Sequence, residues 1–81
     1  MNTTTIDMEA TGKNIARLRK QNRMTVRQLQ QELGFNTPQA IYKWTRGDSL
    51  PTLDNLVILS VLFGVELSEI VAIRKDERRN G

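Results

Sequence analysis

TVRQLQQELGFNTPQAIYKWTRG, residues 25–47, decides the fold. Thr25 is followed three residues later by Gln28, the spacing of a capping box, in which a hydroxyl and an amide satisfy each other's backbone donors at a helix start. Leu29 and Leu33 repeat at helical spacing. Gly34 then supplies the left-handed stop that ends a helix without a Cβ penalty. A second helix opens after Phe35 and Asn36: Thr37 is a good cap, and Pro38 suits the first helical position, where its missing N–H is no loss. Ile41 and Trp44, spaced i, i+3, face inward, and Gly47 closes the segment. Two short helices joined by so tight a turn cross steeply, and the second must present its polar side outward. That side carries Gln39, Tyr42, Lys43 and Arg46, with Thr37 at the tip. Gln is suited to bidentate contact with adenine, and Lys to guanine or a phosphate. The helix N-terminus adds backbone donors and a positive dipole end.

Upstream, a helix is expected from Thr11 or Gly12 to Asn22, with Ile15 and Leu18 inward and Arg17, Arg19, Lys20 and Arg23 around it. Downstream, residues 49–52 (SLPT) cap a fourth helix, Leu53 to Phe63, stopped by Gly64, and a last short helix covers roughly Leu67 to Ile73. No alternating apolar run is bounded by turns, so no strand is expected. The sequence therefore predicts an all-α, compact five-helix domain containing a helix-turn-helix. Its boundaries are a flexible arm over residues 1–10, the folded domain over 11–73, and a charged tail over 74–81.

Composition narrows the function. At 81 residues the chain makes one domain, and a chain of that size buries only about 60% of its unfolded surface, leaving little for a substrate pocket. Cys and His are both absent, which removes disulfides, thiolate and imidazole metal sites, and the commonest acid–base and nucleophilic machinery. No reacting pair stands out, so neither an enzyme nor a cofactor is expected. The N-terminus lacks the pattern of a signal peptide, and the apolar run over residues 56–63 is too short to span a bilayer, so the chain is expected in the cytoplasm, nucleoid-associated. Charge is divided. Residues 12–47 carry eight bases against the single Glu32, a net of +7, whereas residues 48–73 carry four acids and no base. A basic half joined to an acidic half suggests one face for phosphates and another turned away from them.

The ordered set of landmarks resembles the Cro and phage-repressor (lambda-repressor-like, XRE) type of helix-turn-helix domain over residues 12–71. It runs from residues 14–19 (NIARLR), through Thr25, Leu29, Leu33 and Gly34, to Ile41, Trp44 and Gly47. It continues with Pro51, Leu53, Leu56 and Leu59, then residues 63–65 (FGV) and Ile70. The resemblance implies a bacterial or phage regulator that binds double-stranded DNA. The candidate DNA-contacting set is Arg17, Lys20, Thr25, Arg27, Gln28, Asn36, Thr37, Gln39, Tyr42, Lys43, Arg46 and Ser49. Three departures from the family pattern stand out. Val26 replaces the usual Gln just inside the second helix, the turn before the third is one residue longer, and Thr45 replaces an acidic residue.

The fourth helix carries a second surface. At about 100° per residue, Leu53, Leu56, Leu59, Ser60 and Phe63 are expected to face inward, and Ile58, Val61 and Leu62 to fall outside beside Asp54 and Asn55. An apolar cluster on that side suggests a partner interface, most simply a symmetric homodimer acting as a repressor. The alternative is an antitoxin-like module whose apolar face over helices 4 and 5 binds a protein partner. RNA binding is a weaker option, because the chain offers no sheet of exposed aromatics on which unpaired bases could stack.

Overall fold

The computed structural model describes residues 2–75. Its elements, in chain order, are β1 (Thr4–Ile6), α1 (Met8–Gln21), α2 (Val26–Leu33), α3 (Gln39–Arg46), α4 (Leu53–Phe63), α5 (Leu67–Ile70) and β2 (Ile73–Lys75). Five helices form the body of the fold. Each contributes to a core of Ile15, Leu18, Leu29, Ile41, Trp44, Leu59, Phe63 and Ile70.

The ends of the fold differ from the sequence expectation. α1 begins at Met8, earlier than Thr11, because Asp7 caps it: its Oδ1 accepts from the Ala10 N–H at 3.0 Å. The stretch expected to be an arm therefore holds a strand and the first turn of a helix. β1 pairs antiparallel with β2, with Thr4 opposite Lys75, Thr5 opposite Arg74 and Ile6 opposite Ile73. Two three-residue strands are too short to show alternation, and their pairing is non-local, so no local pattern could reveal them. α5 is correspondingly shorter than expected and leaves Ile73 to β2. Arg74 and Lys75 belong to the ribbon, while residues 76–81 of the expected tail lie outside the described residues.

Thr11 and Asn14 tie the C-terminal backbone to α1. The buried Thr11 Oγ1 accepts from the Ala72 N–H at 2.9 Å, and the Asn14 side-chain amide donates to the Ile70 carbonyl at 3.0 Å. The Asp7 N–H donates to the Ala72 carbonyl at 2.9 Å. α1 also crosses α3 at backbone contact: a Cβ placed on Gly12 would collide with the Trp44 carbonyl oxygen. Only glycine permits that approach.

α4 corrects the expected facing. Leu59 and Phe63 are buried, and Leu56 and Leu62 pack partly against the core, but Leu53, expected inward, is 69% exposed. Leu62, expected outward, belongs to the core side. The exposed apolar strip is Leu53, Val57 (47%) and Val61 (75%), at i, i+4, i+8, with Ile58 (36%) at its edge. Apart from Asp54, Asn55 and Ser60 this helix is apolar all round, so its pattern gives no clear inward direction.

Candidate nucleic-acid interface

The site is built on α2, α3 and the turns that hold them. Before α2, Arg23 takes a positive φ of 55°, and the half-buried Arg19 donates through Nη1 to the Met24 carbonyl at 2.6 Å. Arg19 is thus a clamp on the α1–α2 turn. The capping box forms as the sequence indicates: Thr25 Oγ1 accepts from the Gln28 N–H at 3.0 Å, and Gln28 Oε1 accepts from the Thr25 N–H at 2.8 Å. Both residues are exposed, but each spends an oxygen on the cap.

Gly34, at φ 73°, ends α2. The Gln30 side-chain amide donates to the Phe35 carbonyl at 3.1 Å, and the Phe35 ring meets Trp44 edge-on with centroids 5.7 Å apart. An amide latch and an aromatic contact therefore fix the turn to both helices. Sequence reasoning missed Gln30. The available signal was a glutamine on the last full turn before the helix-ending glycine. α3 begins at Gln39, with Pro38 in the cap position and no side-chain cap bond, so Thr37 does not cap it.

Ile41 and Trp44 anchor the inner side of α3 and leave Gln39, Tyr42, Lys43 and Arg46 exposed at i, i+3, i+4, i+7. The side chains of Gln39, Lys43, Lys20 and Arg27 have no hydrogen-bond or ion-pair partner among the described residues. Arg46 differs, since its Nε donates to Asp48 at 2.9 Å. Both members are exposed, so that pair contributes little to stability and holds the guanidinium only lightly. Asn36 and Thr37 are exposed in the turn, Ser49 is half-buried beyond α3, and Thr45 donates its hydroxyl to the Tyr42 carbonyl at 3.1 Å. On α1, Arg17 and Lys20 are exposed, and Arg17 donates to Asn14 at 3.3 Å.

Between α2 and α3 lies an open cleft of about 390 Å³, lined by Val26, Arg27, Gln30, Gln31, Pro38 and Tyr42. It brings Arg27 and Tyr42 of the candidate set together, while Arg17, Lys20 and Ser49 lie outside it. A larger cleft, about 580 Å³, opens at the other end of α3 beside Gly47 and the start of α1. Its acidic groups are engaged, Asp7 on the α1 cap and Glu9 with Lys13 at 3.5 Å.

No group of His, Cys, Asp or Glu among the described residues could hold a metal ion, and no helix among them is long and apolar enough to cross a membrane. The outer side of α3 thus offers two cations (Lys43 and Arg46), one amide (Gln39) and one phenol (Tyr42).

The family model described as helix-turn-helix matches residues 15–70. Among solved structures, the chain is similar to the restriction-modification controller protein C.AhdI from Aeromonas hydrophila. The TM-score is 0.69 at 20% identity, over 79% of this chain and 96% of that one, a likeness of fold. No curated protein matches the sequence significantly.

Proposed function

The chain belongs to the helix-turn-helix family of DNA-binding transcription regulators, and from that premise we propose that it is a sequence-specific repressor that binds duplex DNA as a dimer. The observation that carries the reading is the outer face of α3, where Gln39 and Lys43 stand exposed and unpartnered on a helix held rigidly by Ile41 and Trp44. Selection of bound duplexes from a random pool tests it. A two-fold-symmetric consensus supports both specificity and dimerisation, and an unselective pool counts against them.

Two measurements separate base reading from backbone contact. Affinity should fall with salt at a log–log slope of about −0.9 per phosphate neutralised. Gln39→Ala and Lys43→Ala should each cost about 1–3 kcal/mol on the selected site and relax its preference at one position. Equal losses on selected and random DNA would reduce both residues to backbone contacts.

The dimer reading rests on the exposed strip Leu53, Val57 and Val61, with Ile58 beside it. Residues 48–73, which contain the strip, are net acidic, so this surface suits a protein and not a phosphate backbone. Burying the strip against its own symmetry mate would allow two α3 helices to address half-sites about 34–36 Å apart. The double change Leu53→Glu and Val61→Glu should give a folded monomer with much weaker binding to the selected site. A wild-type chain that sediments as a monomer at high concentration would refute this arrangement. The same strip supports a second reading, an antitoxin-like module that docks a protein partner there. Wild-type monomers that still bind DNA would favour that reading.

A further inference from the structure

The outer side of α3 ends beside a charge of the opposite sign. Residues 12–47 carry the single acid Glu32, and Asp48 follows at once, its carboxylate accepting from the Arg46 Nε at 2.9 Å. The backbone keeps it there. Gly47 turns left-handed at φ 81°, and the Asp48 N–H donates to the Lys43 carbonyl at 2.9 Å, so the carboxylate stays beside Arg46 even when their bond opens. Stability gives no reason for this placement. An anion at a helix C-terminus meets the negative end of the dipole, which Lys43 and Arg46 already suit. Both members of the pair are exposed, and an ion pair in that setting adds little to folding.

What the carboxylate changes is the field that α3 presents. Arg46 is exposed with Gln39 and Lys43, and its Nη groups have no partner among the described residues. Alone, it is a cation able to pair bidentately with a phosphate. With Asp48 2.9 Å from its Nε, the pair is close to neutral for any anion beyond the Debye length, about 8 Å. A phosphate that comes nearer must sit beside a second anion. We infer that Asp48 limits sequence-independent binding: its carboxylate withholds Arg46 from the phosphate backbone and so widens the gap between the preferred site and random duplex. The gap widens because a random complex takes whichever register gathers the most phosphates. On a preferred site the base contacts of Gln39 and Lys43 hold one register. This rests on the duplex-DNA reading of α3 and adds to it a residue that acts by repulsion.

Asp48→Asn keeps the side-chain shape and the backbone bond to Lys43, so the variant should fold. Its binding to random duplex, followed by fluorescence anisotropy, should tighten about fivefold, the effect of one unit charge on another near 4 Å in water. The log–log salt slope should steepen by about 0.9, the mark of one more phosphate neutralised. The selected duplex should gain less, so the ratio of the two affinities falls. Glu69→Gln makes the same charge change on α5, keeps an acceptor for the Glu66 N–H, and should leave that ratio unchanged. In an Arg46→Ala background the Asp48 change should lose most of its effect. Four results would each overturn the proposal: no tightening on random duplex in Asp48→Asn, an equal gain in Glu69→Gln, an equal gain on the selected duplex, or a full effect without Arg46. If the wild-type chain and Asp48→Asn both fail to bind any duplex at low salt, it is the DNA reading beneath the proposal that falls.

Discussion

Trp44→Ala should abolish cooperative folding or come close to it. Trp44 is almost fully buried at the meeting of α1, α3 and the α2–α3 turn, with its carbonyl against Gly12 and its ring against the Phe35 edge. Truncating a buried aromatic costs about 3–5 kcal/mol through lost transfer energy and the cavity left behind. Loss of the edge-on pair adds about 0.5–1.5 kcal/mol. A domain of this size has only roughly 4–12 kcal/mol of stability in total, so the change removes much of it. Urea unfolding followed by far-ultraviolet circular dichroism measures the effect. A variant whose transition midpoint stays near the wild-type value would falsify the placement of Trp44 in the core.

Gly12→Ala should also destabilise, against what helix propensity alone predicts. In an isolated helix, alanine is better than glycine by about 1 kcal/mol. Here the added methyl would collide with the Trp44 carbonyl oxygen and lie 3.0 Å from the Thr45 carbonyl oxygen. Both are backbone atoms inside α3, so neither can swing away as a side chain could. α1 and α3 must separate, and such overpacking costs about 1–3 kcal/mol or more. Because α3 carries Gln39 and Lys43, the displacement should also lower binding to the selected site at temperatures where the variant remains folded. A raised melting temperature would show that the two helices do not cross as closely as described.

The parts of the fold legible in the sequence are those with local chemistry. Thr25 with Gln28, Gly34 and Gly47 mark α2 and the end of α3 because a cap or a left-handed residue is a short-range requirement. Ile41 and Trp44 mark the inner face of α3 because, apart from Ala40, its other positions are polar. α4 gave no such contrast: Leu53 and Leu62 are both leucine, yet one is in solvent and the other against the core. The start of α1 was hidden because Asp7 lacks a partner Glu or Gln three residues on, where Ala10 stands. In the candidate site, the exposed residues of α3 could be read from spacing. The cleft at Val26 could not, because it exists only once two helices have been placed side by side. Gln30 reaches the Phe35 carbonyl across the turn, a contact set by geometry and not by period.

The antiparallel pairing of Thr4–Ile6 with Ile73–Lys75 makes the described chain a nearly closed ring. All five helices lie between its two joined segments, so the pairing closes a loop of about the whole domain's length. It thus has the highest contact order in the fold, and the entropy of closing so long a loop must be met before its few hydrogen bonds form. A two-stranded ribbon this short has little stability of its own. Its folding order follows: the ribbon zips last, once the Thr11 and Asn14 contacts have already brought the strand at 73–75 beside α1. It is also the first segment to open in the native state, and such local opening need not disturb the core around Trp44.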